Sequence, residues 1–228
     1  MIWAGPILWN SMPEMKRVNL FCGHYGSGKT NTAINFAEKA AESGLSVVLA
    51  DVDIVNPYFR SKDSEERLRQ KGVEVISLPF ANSNVDLPAL PPEVYSLVQN
   101  REKVAVFDVG GDDRGAYALG RYAPYILEEN DYSMFFTVNF CRPLTTTAEQ
   151  ALEVLREIEC ACGVPFTAIV NNSNLGDATD IDTVRHFEKE AERLSALASL
   201  PLAFTCVKEE LCREGDEYFP LRLQEKLF

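Results

Sequence analysis

The sequence predicts a three-layer α/β fold in which helices cover both faces of a mostly parallel, doubly wound sheet. Apolar strand-like runs alternate with helical segments along most of the chain, and each run is apolar at nearly every position, as expected for strands buried on both faces. The chain has 228 residues without an evident repeat or linker. We therefore expect one domain over residues 15–228, preceded by a leader or disordered extension over residues 1–14.

The predicted elements follow from local periodicity. The first strand, Val18 to Cys22, leads through a glycine-rich segment into an amphipathic helix over residues 31–43. Further strands are expected over 46–50, 73–78, 104–108, 134–138, 166–170 and 202–205, and further helices over 64–71, from about 93, over 146–161 and over 180–198. Four prolines between residues 79 and 92 favour an ordered surface loop. The apolar residues of the C-terminal segment, 218–228, predict that it docks onto the domain.

The composition limits the class of partner. With 22 Lys and Arg against 34 Asp and Glu, the formal charge is −12, so the average surface repels nucleic acid and anionic lipid. No apolar run approaches the roughly 20 residues that a membrane span needs. We therefore expect neither nucleic-acid binding nor stable membrane association. Six cysteines without a secretory leader indicate reduced thiols and a cytoplasmic protein.

The segment after the first strand matches a phosphate-binding loop. Residues 23–30, GHYGSGKT, satisfy the pattern G-x-x-x-x-G-K-S/T between a strand and a helix. The glycines let backbone N–H groups approach phosphate oxygens, and the helix that follows adds its unpaired N–H groups. Lys29 can bridge the β- and γ-phosphates, while the Thr30 hydroxyl can ligate Mg²⁺. The sequence therefore predicts a P-loop NTPase fold with a nucleotide as ligand.

Carboxylates follow two of the predicted strands. Asp51 and Asp53 follow the second strand, and Asp108 follows the fourth, directly before Val109-Gly110-Gly111. In an open parallel sheet these residues share the carboxyl edge with the phosphate loop, where ligands bind. Such carboxylates can hold Mg²⁺ and orient a water molecule. For Asp51, a local capping or pairing role is an equal alternative.

With Val170-Asn171-Asn172, these motifs make residues 16–206 resemble the MinD/ParA/CobQ-like branch (SIMIBI class) of P-loop nucleotide-binding proteins. The resemblance implies that Asp53 orients the attacking water, that Gly110 or Gly111 senses the γ-phosphate, and that Asn171 or Asn172 faces the base. The implied catalytic residues are Lys29 and Asp53, and the implied Mg²⁺ ligands are Thr30, Asp53 and Asp108. The implied nucleotide-binding set is Gly23, Gly26, Ser27, Gly28, Lys29, Thr30, Asn31, Gly111, Asn171 and Asn172.

The chain departs from that branch at one position of the phosphate loop. His24 stands where its members carry a signature lysine that reaches across a nucleotide-sandwiched dimer. His24 substitutes for that lysine when protonated, lies over the nucleotide, or is a loop histidine without a catalytic role. Residues 171–174, NNSN, lack the lysine and aspartate of the guanine-selective N/T-K-x-D pattern, so we expect ATP rather than GTP.

These features support one leading hypothesis and two alternatives. The leading one is a Mg-ATP-binding ATPase that hydrolyses the γ-phosphate in a switch-like cycle, slowly unless a protein partner or a homodimer stimulates it. A nucleotide-gated adaptor or metalloenzyme maturation factor is one alternative. The other is a small-molecule kinase or ATP-dependent ligase with an acceptor site at the loop over residues 79–92.

Three weaker signals each allow two interpretations. Cys160 and Cys162 are either inert thiols or metal ligands, and residues 56–60, NPYFR, form either a partner surface or core packing. An arginine finger is a third possibility, although solvated ion pairing is the alternative for each candidate: Arg114, Arg121 and Arg142.

Overall fold

The computed structural model describes residues 15–53, 62–77, 92–99, 101–111, 113–213 and 215–223. The strands in these ranges are β1 (Val18–Cys22), β2 (Val47–Val52), β3 (Val73–Ser77), β4 (Val104–Val109), β5 (Tyr132–Val138), β6 (Ala168–Asn171), β7 (Leu202–Lys208) and β8 (Phe219–Leu221). The α-helices are α1 (Lys29–Glu42), α2 (Lys62–Gln70), α3 (Pro92–Gln99), α4 (Asp113–Gly120), α5 (Ala123–Glu129), α6 (Ala148–Cys162) and α7 (Ile181–Ala198). Two short 3₁₀ helices, Gly176–Ala178 and Glu209–Leu211, lie after β6 and β7.

The eight strands form one sheet in the order β3-β2-β4-β1-β5-β6-β7-β8. Each of these neighbouring pairs is parallel, so the predicted three-layer, doubly wound α/β architecture is confirmed. The chain starts at β1 and extends the sheet first to one side and then to the other. As a result, the carboxyl end of β1 lies between β4 and β5, at the position where ligands bind in open α/β sheets.

Alternating side chains of the strands fill two apolar cores, one on each face of the sheet. Leu20 points into the core on one face, with residues of α4 to α7. Phe21 points into the opposite core, where it contacts Phe36 of α1 and Phe135 of β5 at ring-centroid distances of 5.2 and 4.9 Å. This burial on both faces explains why β1 is apolar at every position except the buried Asn19 and why α1 is fixed against the sheet.

The predicted strands β1 to β7 are confirmed, with one notable shift. The strand expected over residues 166–170 begins at Ala168, because the backbone N–H of Phe166 donates to the Glu159 carboxylate (2.8 Å) rather than to a neighbouring strand. Helices α4 and α5 were not predicted. The C-terminal segment docks as expected over β8, where Phe219 and Leu221 are buried. Leu223 is 51% exposed, and residues 224–228 lie outside the described ranges.

Several predictions concern residues outside the described ranges. They include the extension over 1–14, the segment 56–60 and all of the proline-rich loop except Pro92, which begins α3. In the part of the chain that the structure describes, no helix is long and apolar enough to cross a membrane.

Candidate nucleotide-binding site

The glycine-rich loop connects β1 to α1 at the centre of the carboxyl edge. Gly26 and Gly28 have left-handed backbone conformations (φ 78° and 84°), which favour glycine, and the N–H of Ser27 closes a turn onto the His24 carbonyl at 3.0 Å. Gly28 precedes α1 without a side-chain cap, and the first turn of α1 carries no acidic residue. The N–H groups of that turn and the positive end of the helix dipole are therefore available to an anion.

Three glycines of the site are in close contact with neighbouring segments. A Cβ atom on Gly23 would lie 2.1 Å from the Thr137 carbonyl oxygen of β5. A Cβ on Gly111, the residue expected to sense the γ-phosphate, would lie 2.1 Å from the Gly23 carbonyl oxygen. A Cβ on Gly28 would lie 2.1 Å from the Asn172 amide nitrogen. The phosphate loop is thus packed against β5 and against the segments that follow β4 and β6, and only glycine fits at these three positions.

Lys29 forms a buried ion pair with Asp53. Its Nζ lies 2.9 Å from Asp53 Oδ2, and the two side chains are only 9% and 5% exposed. Burial opposes the ammonium charge, but the nearby carboxylates of Asp108 and Asp53 outweigh it and raise the pKa of Lys29 to about 12. Lys29 is therefore fully protonated at neutral pH. The Asp51 carboxylate accepts a hydrogen bond from the Asp53 backbone N–H at 3.1 Å, the local pairing that was one of its two expected roles.

Thr30 and Asp108 form the second polar contact of the site. The Thr30 hydroxyl donates to Asp108 Oδ2 at 2.6 Å, and Asp108 is 1% exposed. Its other oxygen, Oδ1, is buried without a hydrogen-bond partner among the described residues. Burial raises the pKa of Asp108 to about 6, against the opposing effects of the Lys29 charge and the Thr30 hydrogen bond. The site thus holds a buried carboxylate that is largely ionised at pH 7 and has one oxygen available to a cation.

The donor atoms of this contact fit Mg²⁺. A hydroxyl and a carboxylate are hard oxygen ligands, and protein-bound Mg²⁺ commonly takes one or two carboxylates and completes its shell with water and substrate phosphates. Among the described residues, no group of three or more His, Cys, Asp or Glu side chains could hold a metal without such help. Cys160 is exposed on α6 whereas Cys162 is buried, and neither thiol belongs to such a group in the described part of the chain.

The two asparagines at the carboxyl end of β6 have different surroundings. Asn171 is fully buried, and its side-chain oxygen accepts hydrogen bonds from the backbone and hydroxyl of Ser173 at 3.1 and 2.7 Å. The Asn172 amide instead donates to the Ser27 carbonyl of the phosphate loop at 2.7 Å. In this structure, therefore, Asn172 contacts the loop, while Asn171 is engaged within its own turn.

The structure brings together most of the residues that the sequence singled out. Five of them meet at the phosphate loop: Lys29, Thr30, Asp53, Asp108 and Gly111. Asn31 lies one residue further along α1, and its backbone carbonyl accepts a hydrogen bond from the Asn35 side-chain amide at 2.8 Å. His24 is half-buried and the neighbouring Tyr25 is 70% exposed.

Sequence reasoning missed one contact of the loop. Arg142 Nε donates to the Gly26 carbonyl at 3.1 Å. No local signal indicates this contact, because the two residues are 116 positions apart.

No protein-family model matches the chain, and no curated protein matches its sequence. The solved structure of the cell division protein FtsY from Thermotoga maritima superposes with a TM-score of 0.59 at 20% identity, covering 94% of this chain and 70% of that one. The chain has an α/β P-loop NTPase-like fold. The signal recognition particle receptor FtsY from Elizabethkingia anophelis, in complex with GDP, gives 0.56 at 17% identity, covering 93% and 61%. A nucleotide-binding protein from Archaeoglobus fulgidus, in complex with ADP, gives 0.50 at 14% identity, covering 86% and 83%.

These similarities establish the fold and no more. The chain spans less than two thirds of the Elizabethkingia protein, and all three identities lie at or below 20%. Activity, nucleotide choice and partners must therefore be argued from the residues of this chain.

Proposed function

We propose that the protein binds Mg-ATP and hydrolyses its γ-phosphate in a switch-like cycle. One observation carries this proposal. The loop lysine and threonine are each in direct contact with a buried carboxylate from a neighbouring strand end, Lys29 with Asp53 and Thr30 with Asp108. These four side chains supply the positive charge, the metal ligands and the water-orienting group that phosphoryl transfer to water needs.

Binding of the nucleotide would use the loop and the first turn of α1. The polyphosphate would accept hydrogen bonds from the loop N–H groups, and Lys29 would leave Asp53 to contact phosphate oxygens. The raised pKa of Lys29 supports this role, since the ammonium stays charged at every physiological pH. The net charge of −12 makes such a local site necessary for any phosphate ligand.

Thr30 and Asp108 are the residues that would hold Mg²⁺. Asp53 lies near them, because it is paired with Lys29, the residue before Thr30. When bound, Mg²⁺ offsets negative charge that develops on the phosphate oxygens. The buried Oδ1 of Asp108 supports the assignment, because a carboxylate oxygen without a partner in a dry site is stabilised by a cation.

Asp53 would orient the attacking water once Lys29 has turned to the phosphates. Its carboxylate is then released from the ion pair and can accept a hydrogen bond from water in line with the γ-phosphate. Gly111 would report the state of the nucleotide, since a Cβ there would lie only 2.1 Å from the Gly23 carbonyl oxygen and a shift of the loop would displace its backbone.

The choice of ATP over GTP rests on residues 171–174, which lack the guanine-selective lysine and aspartate.

We assign the activity to the cytoplasm, in keeping with the six free cysteines. A protein partner or a second copy of the chain would accelerate turnover, because the four side chains that we call the Lys29 cluster include no arginine: Lys29, Thr30, Asp53 and Asp108.

The proposal is tested by measuring Mg²⁺-dependent phosphate release and nucleotide binding. Lys29→Ala is expected to lower hydrolysis about 100-fold or more, and Asp53→Ala to lower it similarly while retaining ATP binding. Lys39→Ala, on the same helix but paired at the surface with Glu42, is the matched control and should behave as wild type. Unchanged hydrolysis in Lys29→Ala would overturn the proposal.

A nucleotide-gated adaptor is the second candidate, and the packing of the segment after β4 favours it. A Cβ on Gly115 would lie 2.5 Å from Gly110 Cα, so the first turn of α4 is tightly coupled to the residues that contact the loop. Tyr117 on α4 is 62% exposed, which places an aromatic side chain at a surface that would move with the nucleotide. Partner binding that requires ATP and persists in Asp53→Ala would favour this function over simple hydrolysis.

A further inference from the structure

We propose that Arg142 is a positioning residue of the phosphate loop. With Asn172, it fixes the side of the loop opposite the Lys29 cluster, and it adds a positive charge beside the bound polyphosphate. The inference rests on the proposed function, since it assigns a role to Arg142 in binding the phosphate tail of a nucleotide.

The two side chains contact consecutive carbonyl groups of the loop. Arg142 Nε donates to the Gly26 carbonyl at 3.1 Å, and Asn172 Nδ2 donates to the Ser27 carbonyl at 2.7 Å. Both come from the β5 and β6 side of the loop, whereas the carboxylates paired with Lys29 and Thr30 come from β2 and β4 on the other side. The loop is therefore held between two sets of side chains.

Fixing these carbonyl groups also fixes the direction of the N–H groups. The described peptide bonds are all trans, and in a trans peptide the C=O and N–H bonds point in opposite directions. The Ser27 carbonyl points to Asn172, so the Gly28 N–H points away from it. The Gly26 carbonyl points to Arg142, and the Ser27 N–H of the same peptide is held in the turn to His24. Arg142 thus stabilises the turn of the phosphate loop that would surround the bound phosphates.

Arg142 is itself held in a fixed position. Its backbone N–H donates to the Asn139 carbonyl at 3.1 Å, which also accepts from the buried Thr145 hydroxyl at 2.9 Å. The Asn139 amide donates to the Asn174 carbonyl at 3.3 Å, which connects this turn to the segment after β6. The side chain lies along the loop, since a Cβ on Gly26 would be 3.5 Å from Arg142 Cδ. Because the backbone of Arg142 is held in its own turn, only the exposed side chain is left to order when the nucleotide binds.

The charge of Arg142 is not neutralised within the described part of the chain. No carboxylate there forms an ion pair with its exposed guanidinium, although the whole chain carries a net charge of −12. An exposed cation bound to the loop backbone attracts a polyphosphate bound at the loop. This attraction does not depend on which base the nucleotide carries.

The test compares ATP, GTP and inorganic tripolyphosphate as ligands of the full chain by isothermal titration with Mg²⁺. Arg142→Ala is expected to weaken ATP and tripolyphosphate by the same factor, about tenfold, and to leave the ratio of ATP to GTP affinity unchanged. Arg142→Lys should show an intermediate loss, because lysine keeps the charge but lacks the Nε–H group. Arg156→Ala, an exposed arginine of α6 paired with Glu159, is the control and should bind as wild type.

The outcomes separate this inference from the proposed function. Wild-type affinity of Arg142→Ala for tripolyphosphate would overturn the inference, even if the variant unfolds at a lower temperature. Weaker ATP binding with unchanged tripolyphosphate binding would also overturn it, because Arg142 would then contact the nucleoside. Failure of the wild-type protein to bind either ligand would instead overturn the proposed function, and the role of Arg142 with it.

Discussion

Replacing Asp108 with asparagine is expected to stabilise the nucleotide-free protein while abolishing Mg²⁺-dependent hydrolysis. Asp108 is 1% exposed, and one of its oxygens has no partner among the described residues. Asparagine can still accept the hydrogen bond from Thr30 but carries no charge to desolvate. The variant therefore removes the cost of a buried charge along with a metal ligand.

The direction and size of the effect follow from the pKa of Asp108, which burial raises from 3.8 to about 6. The folded state binds this proton more tightly than the unfolded state, so ionisation reduces the free energy of unfolding as pH rises from about 4 to about 6. The difference corresponds to at most about 3 kcal/mol at pH 7. Because the asparagine amide is also buried, we expect a net gain of about 1–3 kcal/mol, or roughly 3–9 °C in Tm.

The assay is urea and thermal unfolding of both proteins without nucleotide at pH 4, 5, 6 and 7. The stability difference should be small at pH 4 and reach its full value above pH 6. Asp131→Asn, at an exposed position, is the control and should change stability by less than about 0.5 kcal/mol. A less stable Asp108→Asn variant at pH 7, or a difference that does not vary with pH, would refute the reasoning.

Three further predictions concern packing and reactivity. Arg17→Ala should cost about 3 kcal/mol in urea unfolding, because it leaves Glu129, its buried partner, without a countercharge. Gly111→Ala should abolish ATP binding in titration calorimetry, because its Cβ would lie 2.1 Å from a loop carbonyl oxygen. Iodoacetamide at pH 8 should modify the exposed Cys160 and leave Cys22 intact, because burial raises the pKa of the Cys22 thiol to about 12; mass spectrometry measures the labelling.

The two substitutions have matched control variants, and Cys160 is the internal reference for the labelling of Cys22. Arg193→Ala removes an exposed pair with Glu149 and should cost under about 1 kcal/mol. Gly44→Ala adds a Cβ where nothing lies within 4 Å, so it should strain the backbone without altering ATP affinity. Equal stability losses in the two arginine variants, ATP binding by Gly111→Ala, or rapid labelling of Cys22 in the folded protein would contradict the corresponding prediction.

The central part of the fold could be predicted from the sequence because its signals are local. Strands β1 to β7 are short apolar runs, and α1, α6 and α7 show helical periodicity. The loop motif and the carboxylates at strand ends were enough to place Lys29 and Asp108 at one edge of the sheet, since parallel strands bring their carboxyl ends together.

The remainder depends on contacts between distant segments. Helix α4 has the sequence DRGAYALG, in which two glycines weaken the helical signal, and β8 has three residues with Pro220 at its centre. Tertiary packing determines both elements. The contact between Asn172 and Ser27 joins residues 145 positions apart, so the sequence motif could indicate a nucleotide-facing asparagine but not its hydrogen bond to the loop.

The most direct test of the account is a crystal structure with Mg²⁺ and a non-hydrolysable ATP analogue. We expect the Lys29 ammonium to have moved from Asp53 to the phosphates, with the metal next to Thr30 and Asp108. A nucleotide bound elsewhere, or a Lys29–Asp53 pair that persists at 2.9 Å beside the bound analogue, would contradict the central claim.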